Sequence, residues 1–141
     1  MSYPPIAELV PHRGPMSLLR TVQHFDPTAV LCDAIIGHDS PFLRGGRIHA
    51  VVALEYMAQT AAVWTGLTLR AESKVQRSGF LVSVPSMVLS VPHFEVGDEL
   101  SIRASQLYRG ADSAVFECSV ELRGEVVASA TLTVLARGEP G

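Results

Sequence analysis

Apolar and polar positions along the chain change their period near Lys74. Residues 50–71 carry apolar and small side chains without a two-residue alternation, which predicts one helix roughly 30 Å long at ~1.5 Å per residue. After Lys74, apolar and polar positions alternate in short runs, a pattern typical of half-buried strands. These runs include Phe80, Met87, Leu100, Val115 and Val126.

Two more strands are predicted before the helix. Residues 16–25 and 29–36 have strand patterns, and the dipeptide Asp26-Pro27 between them is a turn signal. Residues 37–48 contain three glycines and a proline, so we expect a loop there.

Two residues interrupt these patterns. Pro85 is expected to break the strand run between Phe80 and Val91, because proline cannot donate to a strand ladder. Gly66 lies late in the helix, where it marks either an early end or a close contact with another element.

The order of elements is two strands, one long helix and about four strands joined by tight turns. One helix cannot cover two sheets, so one antiparallel sheet of about five to six strands wrapped around the helix is the economical arrangement. This is an α+β fold of the hotdog type, with residues 1–141 as a single domain. Such a fold explains why the helix is apolar on nearly all sides.

The composition narrows the class of protein. The chain has 141 residues, 48% hydrophobic and 18% charged, which indicates a globular domain with a substantial core. A net charge of −3 gives no basic excess to neutralise phosphates, so nucleic acid is not an expected partner. The low charged fraction favours an oligomer. The polar residues within 50–69 argue against a membrane span.

Two cysteines indicate the compartment. Cys32 and Cys118 each lie in an apolar run without the spacing of a metal or redox motif. We expect buried free thiols in a reducing compartment. The start of the sequence, MSYPPIAELV, lacks the basic and apolar regions of a signal peptide, so a cytoplasmic protein is expected.

One carboxylate, Glu55, lies within the otherwise uncharged stretch 50–69. Placing it in apolar surroundings is costly unless it has a partner or is held neutral. A group that must donate a proton in catalysis benefits from such surroundings, and a buried partner that merely holds the fold is the alternative. Gln59 follows at i+4 on the same face, where it would orient the carboxylate, bind substrate or simply pack.

Three stretches resemble the 3-hydroxyacyl-[acyl-carrier-protein] dehydratase family of hotdog enzymes. They are VPHRGPMSLLRTV at 10–22, LEYMAQTAA at 54–62 and GFLVSVPSMVLSVPHFEVGDEL at 79–100. They are similar, in the same order, to the family's L-P-H-R-x-P opening, its E-A-x-A-Q helix and its P-G-D-x-L run. The first two look closest to a divergent branch of predicted dehydratases, found beside fatty-acid-like pathways such as aryl polyene synthesis.

This resemblance implies a dimer whose two sheets pair, with acyl tunnels at the subunit interface and an acyl-carrier-protein thioester as substrate. The thioester carbonyl would lie at the start of the central helix, held by backbone N–H groups at Ala50 and Val51, with Phe42 nearby. A histidine would take a proton from the adjacent carbon, and Glu55 would help the hydroxyl leave as water. Gln59 would lie at the substrate. No metal or redox cofactor is implied beyond the phosphopantetheine that carries the substrate.

The sequence departs from the family at the catalytic histidine. The family has this residue fourteen positions before the carboxylate and directly before a phenylalanine; here that position is Pro41, followed by Phe42. His49, at the helix start, is the favoured replacement. His38, in the glycine-flanked loop, and His12, in a P-H-R stretch that looks structural in the family, are the other two.

Three functions remain open at this point. The first is a dehydratase acting on a 3-hydroxyacyl thioester, and the second is a hotdog acyl-thioesterase in which the carboxylate activates water. The third is a non-catalytic subunit. Pro41 and Glu55 together also motivate a heterodimer in which a related hotdog chain supplies the histidine. Five basic residues would meet an acidic carrier or remain solvated: Arg44, Arg47, Arg70, Lys74 and Arg77.

Overall fold

The computed structural model describes residues 3–10 and 14–140, with the side chains of residues 74–82 and 136–140 left undescribed. Before the helix it contains 3₁₀ turns at Ile6–Glu8 and Gly14–Met16, and the strands β1 (Thr21–Phe25), β2 (Ala29–Ile35) and β3 (Arg47–His49). A 3₁₀ turn at Ala50–Val52 leads into the helix α1 (Ala53–Ala71). The strands β4 (Lys74–Leu89), β5 (His93–Glu95), β6 (Glu99–Arg109), β7 (Ser113–Leu122) and β8 (Glu125–Pro140) follow.

Six strands form one antiparallel sheet in the order β1-β2-β6-β7-β8-β4, and β3 pairs with β5 in a small second sheet. Along β7 the inward side chains of Phe116, Cys118 and Val120 are buried, whereas Glu117 between them is exposed. The helix packs on this inner face, where the rings of Trp64 and Phe116 meet edge to face with centroids 5.5 Å apart. The predicted hotdog arrangement of one helix against six strands is confirmed.

The opposite face of α1 is covered by the N-terminal arm, residues 3–10 and 14–19. Four arm side chains are buried in the core: Ile6, Leu9, Val10 and Leu19. The arm is also tied to the sheet, because the backbone N–H of Phe25 donates to the hydroxyl of Tyr3 at 3.1 Å. The helix is therefore enclosed between sheet and arm, which explains its continuous apolar pattern.

Gly66 lies within α1, which continues to Ala71, so the alternative of an early helix end is wrong. A Cβ atom on Gly66 would lie 2.7 Å from the carbonyl oxygen of Leu9. Glycine is required here because the backbone of the arm approaches the helix at this position.

The structure corrects the start of the first predicted strand and defines the break at Pro85. The predicted strand at 16–25 begins only at Thr21, because the arm uses residues 14–16 for a 3₁₀ turn that starts at Gly14 with φ +60°. The predicted break of the alternating pattern at Pro85 corresponds to an irregularity within one strand, because β4 continues through this residue. β4 is an edge strand and its pairing with β8 shifts register between Ser83 and Ser86, so the missing N–H of proline costs no ladder bond.

Both cysteines are free and buried, as predicted: Cys32 on β2 and Cys118 on β7. Burial raises the pKa of each thiol to about 12, with the charges of the neighbouring Asp33 and Glu117 adding to the effect. Within residues 3–10 and 14–140, no helix has the length and hydropathy to cross a membrane.

The substitution Gly66→Ala should destabilise the protein. Helix propensity alone would make alanine about 1 kcal/mol more favourable than glycine. Because the added methyl collides with the Leu9 carbonyl, we expect the free energy of unfolding to fall by about 1–3 kcal/mol instead. Urea denaturation measures the change, and an increase in stability would contradict the close contact.

The thiols of Cys32 and Cys118 should resist alkylation in the folded protein at about pH 8, because thiolate is the reactive form and burial disfavours it. Two labelled thiols are expected once the chain is unfolded in denaturant. Mass spectrometry of the labelled protein provides the measurement, and rapid labelling of the native chain would refute the burial.

Candidate active site

The start of α1 places Glu55 where a negative charge is stabilised. The 3₁₀ turn Ala50–Val52 precedes the helix, and the N–H of Ala53 donates to the carbonyls of Ala50 and Val51. Glu55 lies in the first turn of α1 and is half-buried. The positive end of the helix dipole favours a carboxylate there.

Gln59 binds Glu55 and the N-terminal arm together. Its Nε2 donates to Oε1 of Glu55 at 3.1 Å and to the carbonyl of Met16 at 2.8 Å. Its Oε1 accepts the backbone N–H of Leu18 at 3.0 Å. The prediction that Gln59 shares a face with Glu55 is confirmed by this contact. Because Gln59 is 0% exposed, the geometry favours orientation of the carboxylate over direct contact with substrate.

His49 caps the 3₁₀ turn. Its Nδ1 accepts the N–H of Val51 at 3.0 Å, so a neutral ring carries its proton on Nε2. The ring lies opposite His93 in the β3–β5 pair, with centroids 5.9 Å apart. The side chain is exposed. While the cap is formed, the lone pair of Nδ1 is engaged and cannot take a proton from substrate.

The backbone donors expected to hold a carbonyl are partly used within the chain. The N–H of Ala50 donates to the carbonyl of Pro92 at 2.9 Å, and that of Val51 is bound by His49. Ala50 is buried, whereas the side chain of Val51 is 49% exposed. A thioester carbonyl at this turn would therefore compete with bonds that already exist.

The loop before β3 carries Phe42 but no histidine beside it. Phe42 is half-buried against the core, its N–H donates to Oγ of Ser40 at 3.3 Å, and the preceding Pro41 is exposed. Nη1 of Arg44 donates to the carbonyls of Pro41 at 3.1 Å and Leu43 at 2.7 Å, which braces the loop. His38 is exposed in the same loop. His12 lies outside the described residues.

A comparison with known families shows which family the chain belongs to. Residues 4–140 match the model of the family described as ApeP-like, ApeP dehydratase. The chain belongs to the ApeP-like dehydratase family. The predicted membership of the 3-hydroxyacyl-acyl-carrier-protein dehydratase type, a hotdog hydro-lyase, is thereby confirmed.

Curated relatives of this ApeP-like chain carry the same kind of name. It is 33% identical over 135 residues to "3-hydroxyacyl-[acyl-carrier-protein] dehydratase FabZ" of Streptococcus uberis, covering 91% of this chain and 92% of the relative. The protein of the same name from Streptococcus pyogenes serotype M5 is 32% identical, with 91% and 93% covered.

Two solved structures resemble this chain, one closely and one in fold only. A chain of "The Dehydratase Heterocomplex ApeI:P from Xenorhabdus doucetiae" aligns with TM-score 0.90 and 28% identity over 99% of this chain and 93% of that chain. A hypothetical thioesterase of Streptococcus pneumoniae with coenzyme A aligns with TM-score 0.62 and 16% identity, covering 85% and 87%. At that identity the second match shows the hotdog fold alone.

Arg47 and Arg70 are exposed and only loosely paired. Nε of Arg47 lies 4.0 Å from Oε1 of Glu95, and Nη1 of Arg70 lies 3.9 Å from Oε1 of Glu8. Exposed pairs at this distance contribute little to stability. The side chains of Lys74 and Arg77 lie outside the described residues. In the described part of the chain, no group of three or more His, Cys, Asp and Glu side chains is placed to hold a metal ion.

The sequence patterns do not reveal that the N-terminal arm contributes backbone hydrogen bonds to the site. The carbonyl of Met16 and the N–H of Leu18 fix the amide of Gln59, and backbone atoms leave no residue-type signal. The only pointer was that both residues fall in the 10–22 stretch that carries the family resemblance. The site therefore consists of a carboxylate at a helix start, an amide that orients it and a loop that lacks the expected histidine.

A cap role for His49 can be tested by stability. We expect His49→Ala to lower the free energy of unfolding by about 0.5–2 kcal/mol, because the N–H of Val51 loses its acceptor. The matched variant His49→Asn should retain most of the stability, since asparagine is a preferred N-cap residue. Equal stability of the alanine variant and the parent would argue against the cap.

Proposed function

We propose that this protein eliminates water from a 3-hydroxyacyl chain carried as a thioester on an acyl carrier protein, as one half of a heterodimer with a related hotdog chain. The observation that carries the proposal is the pairing of two features. Glu55 is held at the start of α1 by Gln59, and Pro41 stands where the family has its histidine.

In the proposed reaction, a histidine of the related chain takes the proton from the carbon beside the thioester carbonyl. The bond between the next carbon and its hydroxyl breaks, a carbon–carbon double bond forms, and Glu55 protonates the departing hydroxyl to give water. Phe42 and the turn at Ala50 and Val51 would line the acyl and thioester groups. No metal or redox cofactor enters the proposal.

His49 is the second candidate for the base. It would act within a homodimer only if its Nδ1 released the N–H of Val51, because that bond occupies the lone pair. Because breaking this hydrogen bond costs free energy, the structure favours a heterodimer in the proposal. The relative named as a dehydratase heterocomplex lends independent support, since that protein is itself a pair of different chains.

The proposal also includes a cellular compartment and a surface for contact with the acyl carrier protein. The two free, buried cysteines favour a reducing compartment, so we place the reaction in the cytoplasm. Arg44 and Arg47, exposed near the loop that carries Phe42, are the groups we expect to meet the acidic carrier or the phosphate of its arm.

The test uses the chain alone and in combination with the related hotdog chain. Each preparation is incubated with a 3-hydroxyacyl thioester of the carrier protein, and the enoyl product is measured by mass spectrometry. We expect product only from the pair. Activity of the chain alone that disappears in His49→Ala would replace the heterodimer with a homodimer, and release of free thiol instead of enoyl product would indicate a thioesterase.

Within an active pair, Glu55→Gln should lower kcat by roughly 10²–10⁴, the usual contribution of a proton-transferring side chain. Glu125→Gln, which changes an exposed carboxylate at the start of β8, is the matched control and should leave kcat unchanged. Full activity of Glu55→Gln would contradict the assignment of the site.

A further inference from the structure

The amide of Gln59 has its orientation fixed by the N-terminal arm. The N–H of Leu18 can only donate, so it requires the amide oxygen, and the carbonyl of Met16 can only accept, so it requires the amide nitrogen. Turning the amide over would place two donors together at Leu18 and two acceptors together at Met16. The remaining N–H of Nε2 therefore always faces Oε1 of Glu55.

The amide of Gln59 is shielded from water. Gln59 is 0% exposed, so no water competes for its three hydrogen bonds. The bonds are of ordinary length, between 2.8 and 3.1 Å. An amide held at both ends by backbone atoms is a rigid support for the carboxylate oxygen that it contacts.

The arm itself is fixed on both sides of these two contacts. Before them, the N–H of Ser17 donates to the carbonyl of Gly14 at 3.0 Å, which closes the 3₁₀ turn. After them, Leu19 is buried and the N–H of Arg20 donates to the carbonyl of Asp33 on β2 at 2.8 Å. The position of Met16 and Leu18 is thus set by the turn and by the sheet together.

We infer that Gln59 is a positioning residue for Glu55 and that the N-terminal arm, through the backbone of Met16 and Leu18, belongs to the machinery that holds the catalytic carboxylate in place. This inference rests on the proposed function. It assigns a role to a segment that contributes no reacting group. Because only backbone atoms of the arm take part, its conformation matters and the side chain of Met16 does not.

The decisive variant is Gln59→Glu in the active pair. It keeps the shape and the acceptor for Leu18, but a carboxyl group has at most one O–H, so it cannot donate to both Met16 and Glu55. We expect kcat to fall roughly 10- to 100-fold with KM within about twofold, since misplacement of a catalytic group affects the reaction more than binding. The dependence of kcat on pH should also shift, because two adjacent carboxyl groups cannot both ionise freely.

Two controls separate positioning from folding. Thr60→Val alters the next residue of α1, which is equally buried, donates to the carbonyl of Tyr56 and contacts Cys32 rather than Glu55 or the arm. Glu125→Gln changes an exposed carboxylate at the start of β8, on a different element from the arm and from α1. Both should retain the kcat and pH profile of the parent, even where the melting temperature falls.

A second variant acts through the arm. Gly14 has φ +60° and, among the described residues, no atom within 4 Å of an added Cβ, so Gly14→Ala strains the turn without a collision with them. We expect a lower kcat while circular dichroism shows the fold retained, which serves as the test if Gln59→Glu fails to fold. If the parent pair is active and either folded variant keeps its kcat and pH profile, the inference is overturned. If the parent pair is inactive, the proposed function is overturned.

Discussion

Enclosure of most of α1 is the constraint on which the rest of the structure depends. The sheet covers one face of the helix and the N-terminal arm covers the other, so polar groups between them need partners inside the chain. Among the described side chains, the buried hydroxyl of Thr68 is the exception. Thr60 and Thr65 meet this requirement locally by donating to the carbonyls of Tyr56 and Ala61 one turn earlier. Gln59 has an amide with both donors and an acceptor, and it reaches outside the helix to the arm. Enclosure therefore turns a packing requirement into a connection between the arm and Glu55.

The position of Glu55 follows from the same constraint. A carboxylate in the middle of the enclosed helix would lose its hydration with no compensating charge. In the first turn it is half-buried, lies at the positive end of the helix dipole and accepts the N–H of Gln59. The chain thus combines partial exposure of this carboxylate with a defined orientation. These are the two properties that an acid in a dehydration needs.

The loop at Pro41 explains why the site looks incomplete in one chain. Arg44 binds the carbonyls of Pro41 and Leu43, so the loop has hydrogen bonds of its own at the position where the family has its histidine. The favoured replacement, His49, is occupied as a cap. A supported carboxylate in a chain with Pro41 at the family's histidine position is consistent with the proposed heterodimer.

The sequence by itself determined most secondary-structure elements and the pairing of Glu55 with Gln59. Periodicity reports which positions are buried, so the long helix, most strands and the i+4 relation of Glu55 and Gln59 were predictable. The pattern also marked the break at Pro85, whereas nothing local reveals that this strand lies at the edge of a sheet. Only the tertiary structure decided that Gln59 bonds to Met16 and Leu18, which lie 43 and 41 positions away. Such contacts depend on how the chain folds back on itself, and backbone partners leave no trace in residue type.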